Sequence, residues 1–516
     1  MEPQTPARSD TIAAPAHAPA HSIWLSDTAL LIYIALATVI VHQIFGNRYG
    51  FNRDELATLE DARHLAWGYP AYPPVTPFFG RPSLELFGTS IRGFRLFANL
   101  SQAITVVLSG LMARELGGRR GAQLVAAAAA LPFCLGGGQL MMYVAFDCLA
   151  WVSTAYFIVR LLKSGDPRWW IAIGASIGFG MQSKWTMGFF VLAIVAGVLF
   201  TDARRFLRSQ WLWIGVALSI LIWLPNLLWQ AQHHFISLDF LSHIHARDIR
   251  QGRTQGFLPE QFQLMGFATP LALAGLHYYF FARDGKRFRM LGWMYVVTLL
   301  LFVVAKGRSY YMGPAYPMLY AAGAVWGEGW LATLQRGRAM AIRTVVWAGL
   351  AIGVISTIAF WMPTAPVNSR WWTISNHVQG DHREEIGWPE LVQEVAKIRD
   401  SLTPEERAHL GIIGTNYGEA GAINLYGPQY GLPRAISGVN SFWYRGYGDP
   451  PPQTVIVIGL NRKYMDESFE SCRLAGHTWN QYGVKNEETA DHPDIYVCGP
   501  PKDGWPKFWE DFRYYG

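Results

Sequence analysis

From Thr28 onward the chain alternates long apolar runs with short polar ones, and the runs have the length of membrane spans. A helix needs about 20 predominantly apolar residues to cross the hydrocarbon layer of a bilayer. By that rule the candidate spans are 28–45, 96–115, 121–140, 147–163, 169–183, 186–201, 210–230, 260–281, 289–305, 312–330 and 342–362. The pattern predicts a polytopic α-helical membrane protein with about eleven transmembrane helices. The runs 169–183 and 186–201 are short, as the arms of a tight hairpin would be.

The polar loops between the runs set the orientation, because short cytoplasmic loops carry an excess of Lys and Arg. With the N-terminus inside, those loops hold Arg114, Arg119 and Arg120; Lys163 and Arg168; Arg204, Arg205 and Arg208; Arg283, Lys286, Arg287 and Arg289; and Arg336, Arg338 and Arg343. The alternate loops are then 46–95, 141–146, the turn at Lys184, 232–259 and 306–311. Everything beyond about Pro363 falls on the same outer side. Three parts follow: a disordered cytoplasmic tail 1–22, a transmembrane domain 23–362 whose first outer loop 46–95 carries juxtamembrane helices, and an outer domain 363–516. The tail lacks the basic start and cleavage site of a signal peptide, so 28–45 is expected to stay as the first span.

The pattern changes character in 363–516. "WPELVQEVAKIRDSL" has helical apolar spacing with Pro389 in its first turn. "LGIIGTNY", "QTVIVIGL" and "DIYVCG" are short apolar runs bounded by Gly, Pro or Asp, as buried strands are. The expected fold is a small C-terminal periplasmic α/β domain. Between its strands, "GVNSFWYRGYGDPPP" is a Gly, Pro and aromatic loop long enough to be functional.

Composition agrees. Charged residues are only 16% of the chain, well below the roughly 25% of soluble domains. The net charge of +6 is what orienting basic loops produce, so it does not argue for nucleic acid. Cys134 and Cys148 lie in apolar runs, whereas Cys472 and Cys498 could form a disulfide in an oxidising compartment.

Two features are not explained by topology. The outer loops hold many cations, among them Arg53, Lys184, Lys306 and Arg308, where the positive-inside rule predicts few. An anionic lipid headgroup or lipid-linked phosphate on that side would account for them. Acids lie close by. Asp54 and Glu55 open "DELATLEDARHLAW", an amphipathic surface helix ended by Gly68 and Pro70. Asn52 or Asp54 would cap it, and the prolines of "YPPVTPFF" should prevent a regular helix from starting at once. Asp147 stands near the outer end of an otherwise uncharged span, an expensive place for a carboxylate. Together these make an outer cavity with carboxylates, cations and aromatic walls. Such a cavity suits sugar transfer from a polyprenyl phosphate, one carboxylate deprotonating the acceptor hydroxyl and cations stabilising the leaving phosphate.

"RDELATLEDARHLAWGYPAYPP", "FGTSIRGFRLFANL", "SKWTMGFF", "WLPNLLWQ" and "KGRSYYMGPAYPMLYAAGA" resemble the bacterial branch of the protein O-mannosyltransferase superfamily. These are GT-C glycosyltransferases, among them the aminoarabinose and galacturonic acid transferases of lipid A. The likeness runs over about 48–330, and "TNYGEAGAINLYGP" is similar to their periplasmic domain. It implies an inverting transfer with Asp54 as base, Glu55 beside it and Asp147 shaping the site. The donor would be a polyprenyl monophosphate sugar, needing no catalytic metal. Tyr72 precedes Pro73 where relatives have Lys or His, so phosphate binding would fall to Lys184, Lys306, Arg308, Arg53 or an arginine of 232–259. His64, Tyr72, Tyr310 and Tyr311 would line the cavity. The acceptor would be a lipid, glycan or protein, and the location the inner membrane of a bacterium. His233, His234, His243 and His245 show no regular metal-ligand spacing, so no metal site is assigned. A transporter of an anionic solute and a ligase using a lipid pyrophosphate are the alternatives from other classes.

Overall fold

A computed structural model describes residues 23–516, and the expected tail 1–22 lies outside them. In chain order its first part comprises α1 (Asp27–Phe45), α2 (Arg53–Arg63), α3 (Val75–Phe87), α4 (Ile91–Glu115), α5 (Arg120–Gly138), α6 (Tyr143–Ser164), α7 (Trp169–Met181) and α8 (Thr186–Leu199). There follow α9 (Gln210–Gln232), α10 (Ile236–Arg250), α11 (Phe257–Met265), α12 (Thr269–Phe281), α13 (Arg289–Val304), α14 (Tyr316–Ala332) and α15 (Arg336–Trp361). Among the described residues eight segments are long and apolar enough to span a membrane, or nine if α8 and the bent turn after it count as one. The chain is thus a multi-pass membrane protein, although α7 and α14 are shorter than the sequence count of eleven spans assumes.

Burial separates the centre of the bundle from its rim. In α6, 67% of the most apolar window is buried against protein, whereas in α15 the figure is 6%, so α15 faces lipid. Hydrocarbon gives apolar helices no reason to prefer each other over lipid, so close packing holds them together. A Cβ on Gly275 of α12 would sit 2.1 Å from the Leu319 carbonyl oxygen of α14, and one on Gly174 of α7 equally close to that of Gly215 in α9. Only glycine permits these approaches.

Two local expectations change. The helix α3 starts immediately after Pro74, because N–H groups of a first helical turn have no partner to lose. The run 260–281 breaks at Gly266, which takes φ 50° between α11 and α12.

The C-terminal part carries α16 (Arg370–Val378), α17 (Trp388–Ser401), α18 (Pro404–Ala408), α19 (Tyr417–Tyr426), α20 (Arg462–Ser468), α21 (Glu487–Ala490) and α22 (Trp505–Asp511). Its five strands are β1 (Leu410–Gly414), β2 (Ala435–Ile436), β3 (Thr454–Ile458), β4 (Arg473–His477) and β5 (Asp494–Cys498), in the order β2-β1-β3-β5-β4. The pairs β1–β2 and β1–β3 are parallel, and β5 runs antiparallel to both β3 and β4. Leu391 and Val395 of α17 pack on one face with Ile412 and Ile456. Trp505 and Phe508 of α22 pack on the other with Ile413 and Val455. Cys472 is disulfide-bonded to Cys498. The first of these cores does not stop at the domain edge. It continues through Leu56 and Leu59 of α2 to Phe94 and Ala98 of α4, so the C-terminal domain is seated on the first loop.

Candidate active site

A cavity of about 520 Å³ lies at the end of the bundle that carries the C-terminal domain. Its walls come from α2 (Asp54, Thr58), the turn at Tyr72, the start of α6 (Tyr143), the α7–α8 turn (Lys184), α10, and the segment after α13 (Lys306 to Tyr311). Tyr417, from the C-terminal domain, closes one side. The sequence reading missed this last residue. Tyr417 follows closely on the carboxyl end of β1, where open α/β sheets present their ligands, and that rule was the available signal.

The Asp-Glu pair splits in two. Asn52 caps α2 and forms a capping box with Glu55, each side chain reaching the other's end of the first turn. Glu55 is fully buried; its carboxylate accepts from Arg95 at 2.8 and 2.5 Å and from the Met141 N–H at 2.9 Å. Arg95 also reaches Glu385 of the C-terminal domain at 3.3 Å. Glu55 therefore holds α2 in place and does not line the cavity. Asp54, one residue earlier, does, and it has no ion pair among the described residues.

The cations divide similarly. Lys184 lies among three tyrosine faces, at 4.1 Å from Tyr311, 5.0 Å from Tyr310 and 5.1 Å from Tyr143. Lys306 reaches the cavity from a left-handed turn, φ 47°. Neither lysine is ion-paired among the described residues. Arg308 lines the cavity too, but Asp248 of α10 takes both of its hydrogen bonds at 2.7 Å. Arg247 and Arg253 flank the same carboxylate at 3.9 and 3.8 Å, so three cations share one acid. That Asp248 was not singled out from the sequence, where nothing marks it as Arg308's partner.

Four expected site residues lie outside the cavity wall. Glu55 is one. Asp147 is buried behind the wall, accepting from Thr186 at 2.9 Å and Trp151 at 3.0 Å. His64 accepts from Arg434 at 2.7 Å on the far side of α2. Arg53 points into the C-terminal domain, pairing with Glu487 and, at 3.9 Å, with Glu384. Tyr72 does line the cavity, but its hydroxyl donates to Asp61 at 2.6 Å. Asp61 also accepts from Ser441 at 2.6 Å and Arg445 at 2.5 Å, which ties the Tyr72 wall to the C-terminal domain. Among the described residues no group of three or more His, Cys, Asp or Glu could hold a metal ion.

The seam beside Arg53 is rich in acid. Burial, and then Glu488, push the Glu384 carboxyl up to about 7 and that of Glu419 up to about 8, against an ordinary value of 4.5. Folded, these groups keep protons that they lose when unfolded, so their contribution to stability is complete below the ordinary carboxyl value and is lost as pH rises through the folded values. The melting temperature of the C-terminal domain should drop between about pH 5 and pH 8, and the Glu384→Gln, Glu419→Gln double variant should flatten that drop. Differential scanning fluorimetry in detergent across that range would check it.

A family model described as dolichyl-phosphate-mannose-protein mannosyltransferase matches residues 71–229. The chain is 28% identical over 298 residues to an undecaprenyl phosphate-α-4-amino-4-deoxy-L-arabinose arabinosyl transferase of Pseudomonas fluorescens, covering 53% of this chain and 52% of that one. It is 24% identical over 251 residues to the lipopolysaccharide core galacturonosyltransferase RgtB of Rhizobium johnstonii, covering 47% and 49%. The matches therefore span about half the length of these curated relatives. In fold, ArnT from Cupriavidus metallidurans bound to undecaprenyl phosphate superposes with a TM-score of 0.57 at 15% identity, over 92% of this chain and 98% of that one. Its apo form gives 0.55 at 16% identity. The solved structures thus share the membrane bundle and the C-terminal domain as a fold.

Proposed function

We propose that this chain is a GT-C glycosyltransferase of the ArnT and protein O-mannosyltransferase type and that it transfers a sugar from a polyprenyl-phosphate donor to a hydroxyl of an envelope acceptor, a reading supported by the family match, the relatives and the shared fold. The observation that carries this reading is the cavity's charge layout: among the described residues Asp54 has no ion pair, and it faces a space that Lys184 and Lys306 also enter unpaired.

In this mechanism Asp54 takes the proton of the acceptor hydroxyl. The oxygen attacks the anomeric carbon on the face opposite the phosphate, and the carbon–oxygen bond to phosphate breaks with inversion. The electron pair leaves on the polyprenyl phosphate, whose charge Lys184 and Lys306 meet, helped by Arg247 and Arg308 around Asp248. Phe189 and Phe302 form the apolar side of the cavity, where the donor's lipid tail stays in hydrocarbon. The donor is a monophosphate, so no pyrophosphate calls for a bridging divalent ion. The catalytic side would face the periplasm, in keeping with the basic loops at the other end.

The test is release of free polyprenyl phosphate from a panel of polyprenyl-phosphate sugars, with envelope extract as acceptor and the full chain purified in detergent. No release with any donor, alongside measurable solute flux in proteoliposomes, would replace the transferase by a transporter. Lys184→Gln should raise the donor KM by about 10- to 100-fold, the equivalent of one charge-assisted hydrogen bond, with a smaller change in kcat. An unchanged KM would remove Lys184 from the phosphate site.

A further inference from the structure

The C-terminal domain brings Tyr417 to the cavity, and the packing around that side chain leaves it little freedom. Beyond the end of β1, the Thr415 hydroxyl donates to the Ile458 carbonyl at 2.5 Å. The buried Glu419 carboxylate accepts the Thr415 and Asn416 N–H groups at 2.7 and 3.1 Å. Asn416 in turn caps α19, so Tyr417 starts the helix in a fixed place. Helix α19 then lies against α2 too closely for larger side chains. A Cβ on Gly421 would stand 2.7 Å from the Leu56 Cβ, and one on Gly418 3.1 Å from the Arg53 Cβ. The contact residues are three apart on both helices, so one turn of each faces the other. Asp54 follows Arg53 on its turn, and Tyr417 precedes Gly418 on the other. Both side chains line the cavity, and the Tyr417 hydroxyl is within hydrogen-bonding reach of the Asp54 carboxylate. The Arg53 guanidinium covers the Tyr417 ring at 5.1 Å while pairing with Glu487, which pins the ring as well.

Asp54 needs such a contact. Its N–H donates to Asn52 and its carbonyl accepts from Thr58, and neither bond holds the carboxylate. Among the described residues no ion pair holds it either. A general base works only within about 2.6–3.2 Å of the proton it takes, and a third group commonly orients it. A hydroxyl donating to one carboxylate oxygen fixes the side chain and leaves the other oxygen for the acceptor. Arg53, although next in sequence, is committed to Glu487 and Glu384. Tyr417 keeps its proton beside Asp54: burial, and then the Asp54 charge, push its hydroxyl well above the ordinary value of 10.

We propose that Tyr417 is a positioning residue of the transfer reaction, its hydroxyl holding the Asp54 carboxylate in the orientation that receives the acceptor's proton. Tyr417 passes no proton on; the acceptor's proton goes to Asp54. The C-terminal domain thereby completes the catalytic turn of α2 and does more than cover it. The assignment rests on the transferase reading above.

The test compares Tyr417→Phe with wild type, as full chains in detergent, by polyprenyl phosphate release with the same donor panel and envelope extract. Phenylalanine keeps the ring beneath Arg53 and removes only the donor. The kcat should fall about 10- to 100-fold, the worth of one hydrogen bond to a charged group, with the donor KM near that of wild type. In an Asp54→Asn background the same substitution should cost nothing further, because a residue acting through the base has no effect once the base is gone. An unchanged kcat, a raised KM with kcat intact, or an equal cost in both backgrounds would overturn the proposal. A second readout needs no turnover and keeps both ring and hydroxyl. By fluorine NMR in nanodiscs, the hydroxyl of Tyr417→3-fluorotyrosine should lose its proton at lower pH in Asp54→Asn than beside Asp54. Its other charged and titratable neighbours, Arg53 and Tyr143, are the same in both. Equal midpoints would overturn the contact. If wild type releases no polyprenyl phosphate with any donor, the transferase reading fails, and the fluorine midpoints still decide whether Tyr417 holds Asp54.

Discussion

Asp54→Asn should lower the rate of sugar transfer by about 10²- to 10⁴-fold, the usual contribution of a positioned general base. The donor KM should stay near that of wild type, since the cations facing the phosphate are untouched. Folding should survive. The Asp54 side chain takes no part in the helix cap, where Asn52 accepts the Asp54 N–H at 3.0 Å and Glu55 closes the box. What the substitution removes from stability is one negative charge in the first turn of α2, about 0.3–1 kcal/mol. Transfer is measured as product formed per mole of protein that elutes as a single detergent-solubilised peak. A variant retaining more than a tenth of wild-type activity would displace Asp54 as the base. Attention would then move to Asp248, the other carboxylate on the cavity wall, and not to Glu55 or Asp147, which lie outside it.

That choice shows where sequence reasoning stops. The pattern Asn52-x-x-Glu55 before an apolar repeat is a helix-start signature, so the helix α2 and its cap were legible, whereas its expected place on the surface was not met, because the C-terminal domain sits on it and buries Leu56 and Leu59. Which of two adjacent acids faces substrate was not. It is decided by Arg95, 40 residues further on, which Glu55 meets only after α2 and α4 have packed. Arg308 and Asp248 are 60 residues apart and equally invisible as a pair. The spans were readable because lipid demands a continuous apolar run, and β1, β3 and β5 because they are buried on both faces. The strand β4 has largely exposed residues and no alternation, so nothing in "RLAGH" announced it. The place of Tyr417 after β1 marked it as ligand-facing, but that it reaches this cavity follows from a core running through Leu56 and Ile412 that seats the C-terminal domain on α2, a tertiary fact.

The same packing makes Arg95→Leu the most damaging single substitution expected outside the cavity. Arg95 is 2% exposed and lies between Glu55 and Glu385, at 0% and 2%. It also donates to the Gly46 carbonyl at 2.6 Å and the Gly50 carbonyl at 3.3 Å, so it fixes the chain entering α2 as well as the helix. Leucine would fill part of the volume and leave buried Glu55 with no cation and Glu385 with only the His382 ring at 3.1 Å. Breaking a buried pair in this way loses about 3–5 kcal/mol, because desolvation of the stranded charge is no longer offset. The first loop and the C-terminal domain should separate, seen as a lower melting temperature and faster proteolysis near α16, and transfer should be lost with them. Glu55→Gln should be milder, since Arg95 keeps Glu385 and a glutamine oxygen can still accept from Met141. Its remaining activity, measured on folded protein, should exceed that of Asp54→Asn, although Glu55 is the more deeply buried acid. Adding Glu55→Leu and Glu385→Leu to Arg95→Leu should recover much of the melting temperature, because an apolar cluster has no stranded charge. Activity should not return with it to the same extent, since α2 would have lost the fork that orients its first turn. An unfolding free energy for Arg95→Leu within about 0.5 kcal/mol of wild type, the range of a neutral surface change, would mean the triad holds nothing in place. The orientation of Asp54 toward the cavity would then need another cause.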